Sequence, residues 1–299
     1  MIKVIPGSIL DHNKKGIWQL ALAKCFFMRK ILLAVDALNI NTSSIDFACY
    51  IANLSKSKLT GVFLENILFE EVAEEAYISS GKEKELSVNQ RQAITNQNIH
   101  FFREACEKRG VQAAIHRDRG LPSDELVEES RFADLLIIEP GLSFRKKLEG
   151  VPSGFVKAVL VEAECPVIIA PESFEGISEI VFSYDGSRSS VFAMKQFTYL
   201  FPQLCNKKVS LLEVNKGDEF VVKEKPKVAE WLKTYYSDIH FEVLQGEVEE
   251  ELFKHLFQKK DLLLVMGAYG RNMLSTFLKE SRASLMVRAT NLPVFITHY

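Results

Sequence analysis

Short apolar runs alternate with longer stretches of helical spacing along almost the whole chain. Ile31–Val35 is continuously apolar, as expected of a strand covered on both faces of a parallel sheet. Ser43–Leu54 follows, with Ile45, Ala48, Cys49 and Ala52 spaced along one helical face. Leu59–Leu64 reads as the second strand. The long charged stretch from Glu70 to Lys108 reads as helical, broken near Ser79-Ser80-Gly81. A third strand is predicted over Val111–His116, a helix over Pro122–Arg131 with Ser123 as its cap, and a strand over Leu135–Ile138. A helix at Gly154–Glu162 and a strand at Val167–Ile169 complete the first series.

The series then repeats. Strands are predicted at Ile180–Ser183, Val209–Val214, His240–Leu244, Leu262–Met266 and Val294–Thr297. Helices are predicted at Ser189–Leu200, Lys225–Tyr236, Glu249–Gln258 and Ser281–Ala289. The wording repeats as well as the order. One offset of 127 separates Asp134-Leu-Leu-Ile-Ile from Asp261-Leu-Leu-Leu-Val, and Pro166-Val167 from Pro293-Val294. Ile31–Asp36 recurs as Ile180–Asp185. Alternating strands and helices give the α/β class, here as two tandem doubly wound parallel-sheet (Rossmann-like) domains over residues 28–171 and 177–299. The connector Glu172–Ser178 is too short for independent domains, so the halves are expected to pack as a pseudo-dimer. Residues 1–27 read as an N-terminal extension. Lys14-Lys15 and Ile17–Ala23 mimic a weak signal peptide without a small-residue cleavage site, and Met28 is favoured as the natural start.

Composition narrows the function classes. Of 299 residues, 47% are hydrophobic and 25% charged, with a net charge of −2, ordinary for a globular protein. The absence of a basic tract argues against a nucleic-acid partner. No stretch approaches the roughly 18 apolar residues of a membrane span. Five cysteines without a Cys-x-x-Cys pair fit a reduced, cytoplasmic compartment, with Cys49 and Cys165 as core thiols. Six histidines form no metal-ligand spacing, and His116 reads as a surface imidazole. The Gly-x-Ser-x-Gly and phosphate-loop lysine motifs are missing, and nothing pairs Asp36 or Asp185 with a nucleophile, so no catalytic residue is assigned. Phe192, Phe197, Tyr199, Leu200 and Phe201 crowd one helix and read as core.

The candidate chemistry lies in the second half. Gly267-Ala-Tyr-Gly270-Arg271 directly follows a predicted strand, and Ser281 opens the next helix. Glycines let a backbone approach an anion, and a helix start adds free N–H donors. Asp185, ending the first strand of this half, is suited to accept from a sugar or base. Tyr184-Asp185-Gly186-Ser187, Gly267-x-x-Gly270 through Ser275, and the closing Leu292-Pro293-Val294 resemble the universal stress protein family. The resemblance covers both halves and is stronger in the second. It implies a stress-response regulatory protein that binds ATP, with Mg²⁺, through Asp185, Val214, Met266, Gly267, Gly270 and Ser281, with Val214 packing on adenine. It also implies pairing through the final strands, within the chain or between chains as a homodimer.

One position departs from the family pattern: Glu280 stands where the third glycine belongs. Two like charges about 4 Å apart repel by roughly 1 kcal/mol in water and about 4 kcal/mol at an effective dielectric of 20. The first half departs further. Pro140, Ser143, Ser153 and Gly154 stand opposite Gly267, Gly270, Glu280 and Ser281, no serine marks the helix start, and Glu139 adds charge where phosphate would sit. The first half is therefore expected to be a structural partner or a site for some other ligand. The alternatives to nucleotide binding are a nucleotide-independent interaction protein and, third, a nucleotide hydrolase.

Overall fold

The computed structural model describes residues 28–66, 86–145, 149–215, 222, 224–257, 259–267 and 291–297. The first half contains β1 (Lys30–Asp36), α1 (Thr42–Ser55), β2 (Lys58–Asn66), α2 (Val88–Lys108), β3 (Ala113–Gly120), α3 (Pro122–Ser130), β4 (Leu135–Ile138), α4 (Gly154–Glu162) and β5 (Val167–Ile169). The second contains β6 (Glu179–Tyr184), α5 (Arg188–Leu200), β7 (Lys208–Asn215), α6 (Lys225–Tyr235), β8 (Ile239–Gln245), α7 (Val248–Leu256), β9 (Leu262–Gly267) and β10 (Val294–Thr297).

The ten strands of the described residues form one sheet in the order β3-β2-β1-β4-β5-β10-β9-β6-β7-β8. Each half contributes five parallel strands. The halves meet where β5 and β10 run antiparallel, with Val294 opposite Ile169, Phe295 opposite Ile168 and Ile296 opposite Val167. This is the intrachain pairing of final strands. The order mirrors itself about that seam, as a duplicated unit requires when its two copies meet edge to edge.

The period-two alternation of strand side chains sorts the core into two layers. Ile31, Leu33 and Val35 enter one layer with Phe47, Phe102, Phe197 and Leu232. Leu32 and Ala34 enter the other with Leu126, Val159, Leu160 and Leu252. Thus α1, α2, α5 and α6 cover one face, and α3, α4 and α7 the other. Both layers cross the seam. Phe295 is fully buried and stands edge-on to Phe197, with centroids 5.3 Å apart, and near Phe201 at 6.3 Å. The connector is pinned too: Phe174 packs edge-on against Phe47 and Tyr50 of α1, while Asn291 Nδ2 donates to Ser173 Oγ at 2.7 Å.

Several boundaries differ from the sequence reading. The third strand begins two residues later and runs to Gly120, carrying His116, Arg117 and Arg119 on an outer edge of the sheet, where charge discourages further pairing. Ser123 does not cap α3. Leu121 holds the cap position without a side-chain bond, and Pro122 opens the helix, where its missing N–H costs nothing. The long second helix begins at Val88, where Ser87 and Gln90 form a reciprocal capping box. Its predicted start at Glu70 and the break near Gly81 lie outside the described residues, as do residues 1–27 and the helix predicted at Ser281–Ala289. His116 is only half exposed, and its Nδ1 lies 2.9 Å from Glu129 Oε1. Cys49 and Cys165 are buried, as a core role requires; Phe197 and Phe201 are buried, whereas Tyr199 is exposed.

Gly267 is held by packing. A Cβ there would lie 2.5 Å from the backbone carbon and oxygen of Ser189, in the first turn of α5, so the end of β9 and that helix touch backbone to backbone. Gly267→Ala is expected to destabilise the chain by about 1–3 kcal/mol through overpacking. Phe295→Ala, which empties the core over the seam, should cost about 3–5 kcal/mol. Urea denaturation of the full chain reads both, and loss of a single cooperative transition in Phe295→Ala would show that the seam couples the halves.

Candidate functional site

In the second half, the parallel ladders carry three strand ends to one place. Tyr184 pairs with Glu213, which puts Asp185 and Val214 one step beyond on neighbouring strands. On the other side, Phe182 pairs with Val265, so Met266 and Gly267 end the strand next to β6. Ligands of such sheets bind beyond the carboxyl ends of the strands, where crossovers leave in opposite directions. Asp185, Val214, Met266 and Gly267 are thus brought together at that edge. Gly270 and Ser281, with Glu280, lie outside the described residues.

The local chemistry of these residues is specific. Asp185 Oδ1 accepts the N–H of Ser187 at 2.9 Å, closing the turn between β6 and α5. Ser187 then caps α5 by accepting from Ser190 N at 3.1 Å. The Tyr184-Asp185-Gly186-Ser187 run is therefore a strand-to-helix turn, with Gly186 at φ 75°, a conformation open to glycine at little cost. Val214 is half-buried and belongs to the core layer that holds Met266, giving the site an apolar wall. Burial, and after it the carboxylates of Glu224, Glu213 and Asp185, push the Tyr184 phenol up to about 12, so it stays protonated. The described part of this site sets the Asp185 carboxylate and the apolar wall of Val214 and Met266 beside the buried Glu213, chemistry that can meet a sugar or a base. Of the residues read as contacting phosphate, Gly267 is described, whereas Gly270 and Ser281 fall in 268–290.

The first half builds the same turn from different residues. Asp36 Oδ1 accepts Leu38 N at 2.9 Å, as Asp185 does for Ser187. Glu139, at the position of Met266, accepts from Asn41 Nδ2, and Ser44 Oγ lies 3.5 Å from the same oxygen. Burial raises the pKa of Glu139; the bond from Asn41 opposes this, and the nearby charge of Asp36 adds to it. Burial also raises Asp36, against the N–H bonds from Leu38 and Asn39. Two partly desolvated carboxylates, Asp36 and Glu139, thus stand at the positions that Asp185 and Met266 hold in the second half.

A serine does stand at the helix start of this half, contrary to the sequence expectation. Ser153 is the N-cap of α4, accepting from Val156 N at 3.1 Å and donating to the carbonyl of Leu142. Its hydroxyl is consumed in holding the loop. Ser143, at the position of Gly270, donates to Glu149 Oε2 at 2.6 Å. That bond, with Arg145 behind it, holds the Glu149 carboxyl below its ordinary range. The loop that would cradle phosphate is knit to an anion of its own.

Sequence reasoning missed a cavity of about 240 Å³ in the first half, between the ends of β1 and β2, the first turns of α2 and the loop after β4. It also missed the network beside it. Arg117 and Arg119 both donate to the Glu65 carboxylate and, through their other nitrogens, to Gln92 Oε1 at 2.8 and 3.0 Å. These partners come from three elements separated in sequence, so no local pattern announces them.

No family model matches the chain. A universal stress protein of Synechocystis is 21% identical over 284 residues, covering 89% of this chain and 99% of its own length. Among solved structures, a universal stress protein from Archaeoglobus fulgidus aligns with a TM-score of 0.69 at 16% identity, covering 91% of this chain and 97% of that one. A protein from Pseudomonas aeruginosa, described as a putative universal stress protein, aligns at 0.54 and 15%, covering 91% and 93%. In sequence and in fold, the chain is similar to universal stress proteins across both of its halves.

Proposed function

We propose that the chain is a tandem universal stress protein of the cytoplasm, with domains at 28–171 and 177–299, that binds an adenine nucleotide in its second half and acts by binding rather than by turnover. The observation that carries this reading is the convergence of Asp185, Val214, Met266 and Gly267 at the ends of β7, β6 and β9, set by the ladders Tyr184 to Glu213 and Phe182 to Val265. Asp185 accepts from the ribose or base, Val214 and Met266 pack on the adenine, and Gly270 and Ser281 approach the phosphates of the Mg²⁺-bound nucleotide, for which the Glu280 carboxylate is an unfavourable neighbour. Nucleotide is assigned to the second half because its strand ends carry Met266 where the first half carries Glu139. A phosphate is a poor neighbour for a desolvated carboxylate. Among the described residues of the site no side chain is placed as a dedicated base, and the reading expects any hydrolysis to be slow.

A nucleotide-independent interaction protein is the second reading. It is favoured by one observation: Gly267 is already required by its packing on Ser189, without a ligand.

Calorimetric titration of the full chain with Mg·ATP and with AMP separates the two. The nucleotide reading expects saturable binding at one site per chain, at least tenfold weaker in Asp185→Ala and lost in Gly270→Val. The Glu280→Gly substitution should tighten ATP by an amount equivalent to about 1–4 kcal/mol, between about fivefold and about a thousandfold, and leave AMP nearer to unchanged. No heat from either nucleotide, in the natural chain or in Glu280→Gly, would leave the interaction reading standing.

A further inference from the structure

The cavity in the first half contains a buried hydroxyl that has nothing to bond. Thr95, on α2, is 1% exposed, and its Oγ1 has no hydrogen-bond partner; Asn66 Oδ1, at the end of β2, is buried and equally unpartnered. A buried polar atom left unpaired costs about 1–3 kcal/mol. Hydroxyls buried on other helices avoid that cost by donating to the carbonyl four residues back: Ser55 to Ile51 at 2.7 Å, and Thr198 to Met194 at 2.7 Å. Thr95 makes no such bond and lines the cavity instead.

The charges around the cavity define what would satisfy it. Asp36 lines it, with Glu139 bonded to Asn41 nearby. Glu65 is neutralised by Arg117 and Arg119. The loop beside the cavity is a poor phosphate cradle, since Pro140 has no N–H and Ser143 is committed to Glu149. The lining offers three acceptors (the Asp36 carboxylate, Asn66 Oδ1, Thr95 Oγ1) and the guanidinium donors of Arg91 and Arg145, beside apolar surface from Leu38, Leu64 and Phe144. An ammonium group brings three N–H donors and a positive charge, and an aromatic face such as Phe144 also attracts cations. A volume of about 240 Å³ lies just below the roughly 300–1,000 Å³ of sites for drug-sized ligands, so the occupant is small.

We propose that this cavity is a second ligand site, specific for a small primary amine with an apolar body. The ammonium is received by Asp36, Asn66 and Thr95, and the body lies against Leu38, Leu64 and Phe144. Arg91 and Arg145 also line the cavity, and Arg145, 72% exposed and paired with Glu149, stands at its rim. They give a carboxylate arm a partner where the amine is an amino acid.

Titration of the full chain with phenethylamine, L-phenylalanine, 3-phenylpropanoate and AMP, read by calorimetry and ligand-observed NMR, tests the assignment. Saturable binding of phenethylamine or L-phenylalanine is expected, with 3-phenylpropanoate at least tenfold weaker. Asp36→Asn should weaken the amine at least tenfold and Thr95→Val about fivefold. Thr95→Val removes only the unpartnered hydroxyl, so its melting temperature should not fall, which separates lost binding from lost folding. Tighter binding of L-phenylalanine, lost in Arg145→Ala, would assign an amino acid; tighter binding of phenethylamine would assign a simple amine. The proposal is overturned if neither amine saturates, if 3-phenylpropanoate binds as well, or if both variants keep full affinity. AMP displacing the amine would show that this cavity, too, accepts nucleotide, and would overturn the specificity.

Discussion

The antiparallel pairing of β5 with β10 is the contact on which the rest of this molecule depends. A five-stranded parallel unit ends in an edge of unpaired N–H and C=O groups, which invites aggregation unless it is covered. Here each half covers the other: three residues of β5 face three of β10, and the sheet becomes continuous over ten strands. The hydrophobic layers then run across the join, so Phe295 of the second half and Ile168 of the first share one core. The outer edges fall on β3 and β8, far from the seam. On β3 the edge carries Arg117 and Arg119, held by Glu65.

The same join fixes how the two sites relate. Because the strand order mirrors itself about the seam, each half keeps its own cluster of strand ends, and the two can diverge without disturbing one another. They have diverged by charge. Asp36 and Asp185 perform the same structural task, each accepting an N–H two residues on to turn the chain from strand to helix. Next to them, Glu139 replaces Met266 and is pushed toward its neutral form by burial. In the loop beyond, hydroxyls that would be free to meet a ligand are tied to Leu142 and Glu149. One turn geometry thus supports a strand end that sets Asp185 beside Met266 in one half, and in the other a cavity that sets Asp36, Asn66 and Thr95 opposite Arg91 and Arg145.

Gly267 illustrates how a residue can satisfy a motif and a packing constraint at once. Its place after a buried strand fits backbone approach to an anion. Its place in the structure is against Ser189, where any side chain would collide with backbone. A glycine at this point is explained by the architecture alone, so the functional weight of the motif shifts to the glycine and serine further along it.

The sequence by itself determined the class of fold, the duplication and nearly every strand. Those features rest on local regularities: apolar runs of four to six residues, a constant offset of 127 between copies, and helical spacing of small apolar side chains. It also placed Asp185, Val214, Met266 and Gly267 at strand ends. Helix starts at Pro122 and Gly154 were legible, but their caps were not: α3 has no side-chain cap in place of the expected Ser123, and Ser153 caps α4, where no serine was expected. Only the tertiary structure decided that β5 pairs with β10 within the chain, since an unpaired edge carries no record of which partner will cover it. Only the tertiary structure brought Thr95, Asn66, Asp36 and Phe144 around one cavity. They come from a helix, the ends of two strands and a loop, and their meeting follows from crossover packing rather than from any spacing along the chain.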